Sequence, residues 1–226
     1  MTMKGVVLHS GGLDSTTLLA IAREECTHVE SVTFLYGQRH LREVEAAQSV
    51  CSHWNIPHTI KDLSDVFAGS SSTLIDPEAV NPKMSYSELR GVEGPSPTYV
   101  PFRNALFLSH ATAFAQILDA QYVYFAAHAD DAHNWAYPDT TPEFIGAMSN
   151  AMWIGTYHQI RLKTPLMWLT KAEIVSQGSM RQIPFGMTYS CYEGNIKHCG
   201  TCPTCVNRKE AFQRAGVNDP TQYENQ

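Results

Sequence analysis

At 226 residues, the chain is long enough for one substantial domain with a small appendage, but too short to contain a second enzymatic domain. Hydrophobic residues make up 43% of it, which allows a buried core, while a formal net charge of -6 gives no general attraction to nucleic acid. No apolar run approaches the ~20 residues of a membrane span, so we expect a cytoplasmic protein with no membrane partner.

Short β-branched or aromatic runs alternate with helical patterns along the chain. The predicted strands are Lys4–Leu8, Ser31–Tyr36, His58–Leu63 and Gln121–Ala127. The predicted helices are Ser15–Glu25, Arg39–Trp54, Arg103–Leu118 and Pro142–Thr156, followed by one that begins at Thr170 with a capping box. This alternation predicts an α/β, Rossmann-like fold, in which helices cover both faces of a parallel sheet and ligands bind beyond the carboxyl ends of the strands.

A pair of glycines follows the first predicted strand, within the sequence Ser10-Gly11-Gly12-Leu13-Asp14-Ser15. Glycines at a junction between a strand and a helix allow successive backbone N–H groups to converge on one anion. The hydroxyl of Thr16 and the positive end of the helix dipole would favour the same anion. The segment therefore predicts a phosphate site, although it matches neither the lysine-containing P-loop nor the GxGxxG dinucleotide motif.

Residues 64–101 interrupt the alternation with Gly69-Ser70-Ser71-Ser72 and several prolines. A long loop without secondary structure inside a compact domain is often functional. We expect this segment to serve as a lid.

The C-terminal part contains a cluster of cysteines with the spacing C-x7-C-x2-C-x2-C, formed by Cys191, Cys199, Cys202 and Cys205. In a reducing compartment, such clustering indicates a metal rather than disulfides. Four thiolates would close a tetrahedral structural Zn²⁺ site, although the spacing also resembles an iron–sulfur motif. Cys26 and Cys51 lie outside the cluster and are expected to be packed thiols.

The sequence SGGLDS resembles the SGGxDS signature of the PP-loop ATP pyrophosphatases, which cleave ATP between its α and β phosphates. With further segments and the cysteines, the chain resembles the 7-cyano-7-deazaguanine synthases over almost its whole length. The segments are Tyr36-Gly37-Gln38-Arg39-His40, Val100-Pro101-Phe102-Arg103-Asn104, Tyr137-Pro138-Asp139, Pro142-Glu143-Phe144, Leu169-Thr170-Lys171-Ala172-Glu173-Ile174 and Ser190-Cys191-Tyr192.

The resemblance implies an enzyme that converts 7-carboxy-7-deazaguanine, ammonia and ATP to 7-cyano-7-deazaguanine, with Mg²⁺ and with Zn²⁺ on the four cysteines. Because the chain has no room for a glutaminase domain, we expect free ammonia or a separate subunit to supply the nitrogen. The resemblance also suggests a homodimer, and the acidic charge balance leads us to expect no direct binding to nucleic acid. We assign nucleotide binding to Leu8, His9, Ser10, Gly11, Gly12, Leu13, Asp14, Ser15, Thr16, Thr17, Leu18 and Arg39. We assign substrate binding to Arg103, Tyr137 and Asp139, and catalysis to Asp14, Asp131, His133 and Lys171.

The chain departs from this family at Thr140 and Thr141, where the pattern commonly has a cysteine followed by an arginine. If this segment lines the pocket, the reaction could stop at 7-amido-7-deazaguanine. Two more functions fit the sequence, a PP-loop enzyme that modifies tRNA and a zinc-stabilised binding module without catalysis. We expect a catalytic domain at residues 1–185 and a zinc-binding helical region at residues 186–226, packed on the same domain.

Overall fold

The protein, described by a computed structural model over residues 3–83, 96–132 and 137–224, is built around a parallel sheet. Its five strands lie in the order β3-β2-β1-β4-β5, and every adjacent pair is parallel. The strands are β1 (Lys4–Leu8), β2 (His28–Leu35), β3 (His58–Asp62), β4 (Tyr122–Tyr124) and β5 (Arg161–Lys163). The predicted α/β fold is confirmed, but the sequence patterns did not identify β5.

Helices connect the strands and extend beyond the last one. They are α1 (Leu13–Glu25), α2 (Arg42–Trp54), α3 (Arg103–Ile117), the short α4 (Ala129–Ala132), α5 (Pro142–Gly155), α6 (Lys171–Met180) and α7 (Pro203–Ala215). The capping box predicted at Thr170 is present at the start of α6, where Thr170 and Glu173 exchange hydrogen bonds. The helices predicted from the sequence are therefore found, with small shifts at their ends.

Alternate side chains of the central strands enter two separate hydrophobic clusters, one on each face of the sheet. Val7 of β1 belongs to a cluster with Leu19 of α1, Ile174 of α6 and Phe212 of α7. Val6 and Leu8 belong to the opposite cluster, which includes residues of α3 and α5 such as Leu108 and Met152. Helices thus cover both faces, and the region 186–226 contributes α7 to the same core as the remainder of the chain.

The functional cavity lies where the strand order reverses, between β1 and β4. Connections from neighbouring strands diverge at such a point and leave a crevice beyond the carboxyl ends of the strands. Residues that directly follow β1, β2 and β4 line this crevice: His9, Tyr36 and Phe125. The fold therefore brings together loops that are distant in sequence.

The segment 64–101, predicted as a lid, contains a 3₁₀ helix at Ser64–Phe67 and packs partly on the core. The backbone N–H of Thr73 donates to Pro97 O at 2.9 Å, so the two ends of the segment lie side by side. Leu74 and Thr98 line the cavity. Residues 84–95 lie outside the described residues, and the lid stays a prediction.

In the part of the chain that the structure describes, no helix combines the length and the apolar character needed to cross a membrane.

Gly178 allows α6 to pack closely on α1, and we predict that Gly178→Ala destabilises the protein. A Cβ at this position would lie 2.9 Å from both Phe185 Cζ and Thr17 Oγ1. We expect a loss of about 1–3 kcal/mol in the free energy of unfolding, measured by urea denaturation. The matched control is Gly146→Ala in α5, where a Cβ would meet no atom within 4 Å. This control should gain about 0.5–1 kcal/mol through helix propensity, and equal effects of the two substitutions would contradict the packing.

Candidate active site

The loop between β1 and α1 is held by its own serine side chains. Ser10 Oγ accepts a hydrogen bond from the Gly12 N–H at 3.3 Å and lies 3.1 Å from Ser15 Oγ. Ser15 Oγ in turn donates to Gly12 O at 3.2 Å. Ser10 is exposed to the cavity. The Ser10 and Ser15 hydroxyls therefore lie beside the cavity at the positive end of α1, a position that suits an anion.

Gly11 fixes this loop against the rest of the protein. Its φ is +86°, and an added Cβ would lie 2.1 Å from the backbone oxygen of Glu43. No side chain can therefore be accommodated between the loop and α2. On the other side, the Tyr189 N–H donates to Gly11 O at 3.0 Å. Gly12 has an ordinary φ of -78° and forms the N-cap of α1.

A compact group of charged side chains lies beside the loop. Asp14 Oδ2 forms an ion pair with the Nζ atom of Lys171, and Lys171 is the first residue of α6. His128 Nε2 lies 3.7 Å from the same oxygen and 3.3 Å from Asp131 Oδ2. The backbone N–H of Lys171 donates to Asp130 Oδ2 at 2.9 Å. Two cationic groups thus alternate with acidic ones, which limits the cost of placing them together.

The protonation of this group follows from its neighbours. Burial by itself would raise the pKa of Asp14, but Lys171 and His128 lower it well below its ordinary value. Burial would lower the pKa of His128, but Asp131 and Asp14 outweigh burial and raise it. Asp14 is therefore ionised. Its second oxygen, Oδ1, is buried and has no hydrogen-bond partner among the described residues. An unpartnered carboxylate oxygen of this kind suits a cation or its water ligand.

Aromatic side chains and one arginine form another wall of the cavity. Phe34 and Phe107 stack with a centroid separation of 4.5 Å. The Arg103 guanidinium lies 5.0 Å from the centroid of the Tyr36 ring, and its Nε is buried without a partner. A flat apolar surface next to a cation suits a planar heterocycle that bears an anionic or carbonyl group.

The four clustered cysteines converge at one point in the C-terminal region. Their Sγ atoms all lie within 4.8 Å of one another, and all four residues are buried. The Sγ atoms of Cys199 and Cys205 are 3.9 Å apart, close to the ~3.8 Å expected between tetrahedral thiolates around Zn²⁺ at ~2.3 Å each. Cys191 Sγ also accepts backbone N–H groups from Glu193 and Cys199, a pattern that stabilises thiolate ligands. The cluster fits a metal ion.

The cysteine cluster adjoins the cavity. Tyr189, whose N–H fixes Gly11, lies two residues before Cys191, and its ring is 4.6 Å from that of His198. His198 Nε2 accepts the Ser190 N–H at 3.1 Å, so His198 supports this segment and is not among the clustered ligands. The cavity-lining residues of this region are Tyr189, Ser190, Tyr192, Thr204 and Asn207.

The structure places most, but not all, of the predicted site residues at the cavity. Those that line it are Leu8, His9, Ser10, Gly12, Leu13, Asp14, Ser15, Arg103, Asp131, Tyr137 and Lys171. His9 is buried, which lowers its pKa to about 3, and its Nε2 lies 3.1 Å from Thr16 Oγ1. His133 lies outside the described residues.

Several predicted residues occupy structural positions instead. Thr16, Thr17 and Leu18 are fully buried in α1 and do not line the cavity. Thr17 Oγ1 donates to Leu13 O, and Leu18 lies in the core. Arg39 donates to the backbone oxygen of Ala79 at 2.9 Å and does not line the cavity. Asp139 is buried beneath α3, where it accepts the Asn104 N–H at 3.1 Å. These residues are not among those that line the cavity, and their roles in binding stay predictions.

Two titratable residues that the sequence patterns did not identify belong to the site. His128 follows the carboxyl end of β4, and Glu43 lies in the first turn of α2 and lines the cavity. The sequence signal that could have identified His128 is its position just beyond a predicted parallel strand. Glu43 follows the Tyr36–His40 motif closely, but its exposure to the cavity depends on how α2 packs on Gly11.

The comparisons with known proteins agree over nearly the whole chain. A family model for the queuosine biosynthesis protein QueC matches residues 4–216. A 7-cyano-7-deazaguanine synthase from Caldicellulosiruptor bescii is 38% identical over 222 residues, which cover 98% of each chain. Another from Marinobacter nauticus is 39% identical over 227 residues, covering 99% of each chain.

Solved structures with low sequence identity share the fold. The U34-tRNA thiolase NcsA from Methanococcus maripaludis aligns with a TM-score of 0.53 at 13% identity, covering 94% of this chain and 65% of that one. NMN synthetase from Francisella tularensis aligns with a TM-score of 0.52 at 14% identity, covering 96% and 78%. These likenesses concern the architecture alone.

We predict that Cys202→Ser reduces the bound metal and the stability together, because three thiolates hold a metal ion less firmly than four. We expect the free energy of unfolding to fall by about 3 kcal/mol or more, with metal content measured by mass spectrometry of the purified protein. Cys26→Ser is the matched control, since Cys26 is buried outside the cluster, 3.3 Å from Tyr124 Oη. Full metal content in the Cys202 variant would contradict the site.

Proposed function

The chain belongs to the family of the queuosine biosynthesis protein QueC, and we propose that it uses ATP to convert 7-carboxy-7-deazaguanine and ammonia to 7-cyano-7-deazaguanine. The resemblance to the 7-cyano-7-deazaguanine synthases is confirmed by the family match and by the relatives of that name. The observation that carries the proposal is the proximity of the Ser10–Ser15 loop, the Asp14–Lys171 pair and the Arg103 wall in one cavity.

ATP is required because a carboxylate is a poor electrophile. Its negative charge and its resonance prevent ammonia from displacing an oxygen directly. Attack of the carboxylate oxygen on the α phosphate of ATP forms an acyl adenylate and releases pyrophosphate. Ammonia then adds to the activated carbonyl carbon, a proton is lost, and AMP leaves with the original carboxylate oxygen to give the amide.

A second activation would take place in the same cavity. The amide oxygen attacks the α phosphate of another ATP and releases a second pyrophosphate. Loss of the remaining N–H protons and departure of AMP with that oxygen then create the carbon–nitrogen triple bond. Because both activations bring an oxygen to the α phosphate, one arrangement of donors serves both.

We propose that Ser10, Gly12 and Ser15 bind the pyrophosphate portion of ATP. Lys171 lies where its ammonium would compensate negative charge on the phosphates as the α–β bond breaks. Asp14, through its unpartnered Oδ1, and Asp131 would hold Mg²⁺ directly or through water, and Mg²⁺ would neutralise phosphate charge. His128, protonated between the two carboxylates, keeps both in place.

We assign the four-cysteine cluster to Zn²⁺ in a structural role. Four thiolates complete a tetrahedral shell and leave no open position for a reacting water molecule. The cluster would therefore hold the Tyr189–Tyr192 wall of the cavity without taking part in the chemistry. The division into residues 1–185 and 186–226 is part of this proposal.

The proposal also includes a cytoplasmic homodimer that uses free ammonia and does not bind nucleic acid. A specific observation keeps the amide product as the second candidate. Thr140, one of the two positions that depart from the family pattern, lines the cavity.

Product analysis tests the proposed function. The protein is incubated with 7-carboxy-7-deazaguanine, ammonium and Mg-ATP, and the deazapurine is identified by its mass. We expect the nitrile together with two equivalents of AMP and of pyrophosphate. Accumulation of the amide with one equivalent of AMP would support the second candidate, and unchanged acid would contradict both.

We predict that Asp14→Asn lowers the rate of AMP formation by about 100-fold or more, because the neutral amide holds a cation more weakly than a carboxylate and forms no ion pair with Lys171. The measurement is AMP release with saturating acid and ammonium. Asp65→Asn, an exposed position in the 3₁₀ helix Ser64–Phe67, is the control and should keep the wild-type rate. Similar rates for both variants would exclude Asp14 from catalysis.

A further inference from the structure

In the described part of the chain, one acidic side chain of the cavity forms no ion pair. Among the cavity-lining residues that the structure describes, the acidic ones are Asp14, Asp131 and Glu43. Asp14 pairs with Lys171, and Asp131 lies 3.3 Å from His128. Within residues 3–83, 96–132 and 137–224, Glu43 forms neither an ion pair within 4.0 Å nor a side-chain hydrogen bond. Its two oxygens are therefore available to a ligand.

Glu43 is held in a fixed position by the fold. It lies in the first turn of α2, where the helix dipole favours a negative charge, and its backbone oxygen packs against Gly11. Burial raises its pKa to about 7, while the positive charge of Arg103 opposes this rise. Hydrogen bonds from a ligand would consequently stabilise an ionised Glu43 more than they would stabilise a carboxylate that is already solvated.

We propose that Glu43 recognises the donor edge of the substrate base, formed by the ring N1–H and the exocyclic 2-amino group. This inference rests on the function proposed above. A carboxylate accepts two parallel N–H bonds, and a guanine-type edge offers two adjacent donors with the matching spacing. The adenine edge has a ring acceptor where guanine has N1–H, so Glu43 would also keep the base site from binding ATP in the wrong orientation.

This contact gives the substrate one orientation. Along the deazaguanine ring, the 2-amino group and N1–H are followed by the 6-oxo group and then by the 7-carboxylate. The charge of Arg103 acts on Glu43, and its buried Nε has no hydrogen-bond partner among the described residues. Arg103 would therefore donate to the 6-oxo group or the 7-carboxylate. With the donor edge on Glu43, the carboxylate is directed away from α2, toward the remainder of the cavity where ATP binds.

The test compares two substrates and three proteins. The substrates are 7-carboxy-7-deazaguanine and its analogue without the 2-amino group, 7-carboxy-7-deazahypoxanthine. The variants are Glu43→Gln, which keeps the size but presents an N–H to the substrate donors, and Glu45→Gln on the same helix. Glu45 is an exposed residue that pairs with Arg42, so it serves as the matched control. The ratio of kcat/KM for the two substrates is measured for each protein.

We expect kcat/KM of the wild type and of Glu45→Gln to be about 50-fold higher for the 2-amino substrate. A factor of this size corresponds to the loss of one hydrogen bond to a charged group. In Glu43→Gln the preference should fall to about five-fold or less, mainly through a higher KM for the 2-amino substrate. Equal use of both substrates by the wild type would overturn the inference without any variant. A Glu43→Gln protein that keeps the full preference but has a lower kcat would also overturn it, since that result indicates a general base.

Calorimetric titration with 7-deazaguanine, which has the donor edge but no carboxylate, separates this inference from the proposed function. Binding that is lost in Glu43→Gln and kept in Glu45→Gln would support the inference even if the wild type formed no nitrile. Equal binding by the three proteins would overturn the inference while leaving nitrile formation intact.

Discussion

The ion pair between Asp14 and Lys171 holds the cavity together. Asp14 follows the loop after β1, whereas Lys171 begins α6 far along the chain, and the pair joins these two segments beyond the sheet. His128 and Asp131 extend the contact to the loop after β4. Because the acidic and cationic groups of this cluster compensate one another, charge is concentrated beside the loop between β1 and α1 at a limited electrostatic cost.

The C-terminal region completes the cavity from the opposite side. Tyr189 donates to Gly11 O and lies two residues before Cys191, so the cysteine cluster is only a short stretch of backbone away from the loop between β1 and α1. Phe212 of α7 packs in the same core as α1 and α6. A metal ion on the cysteines would thus fix the geometry of the cavity wall while remaining outside the reaction.

Features that depend on residues adjacent in the sequence were predictable. Features that depend on distant segments meeting in the folded protein were not. The strand β1, the loop after it and the capping box at Thr170 follow from neighbouring residues. The edge strand β5 has three residues, two of them basic, and lacks an apolar pattern. Arg39 was assigned to the nucleotide by its motif, and its contacts with the loop carbonyls of Thr73 and Ala79 could not be read from that motif. The roles of Glu43 and His128 became visible only when packing brought separate segments together.

Both product-forming steps of the proposed reaction transfer an adenylyl group onto an oxygen of the substrate. The most direct test uses 7-carboxy-7-deazaguanine labelled with ¹⁸O in both carboxylate oxygens and follows the label by mass spectrometry of the phosphates. We predict that each of the two AMP molecules formed per nitrile carries one ¹⁸O atom, while pyrophosphate carries none. Label in pyrophosphate or inorganic phosphate, or its release to water with unlabelled AMP, would contradict the account.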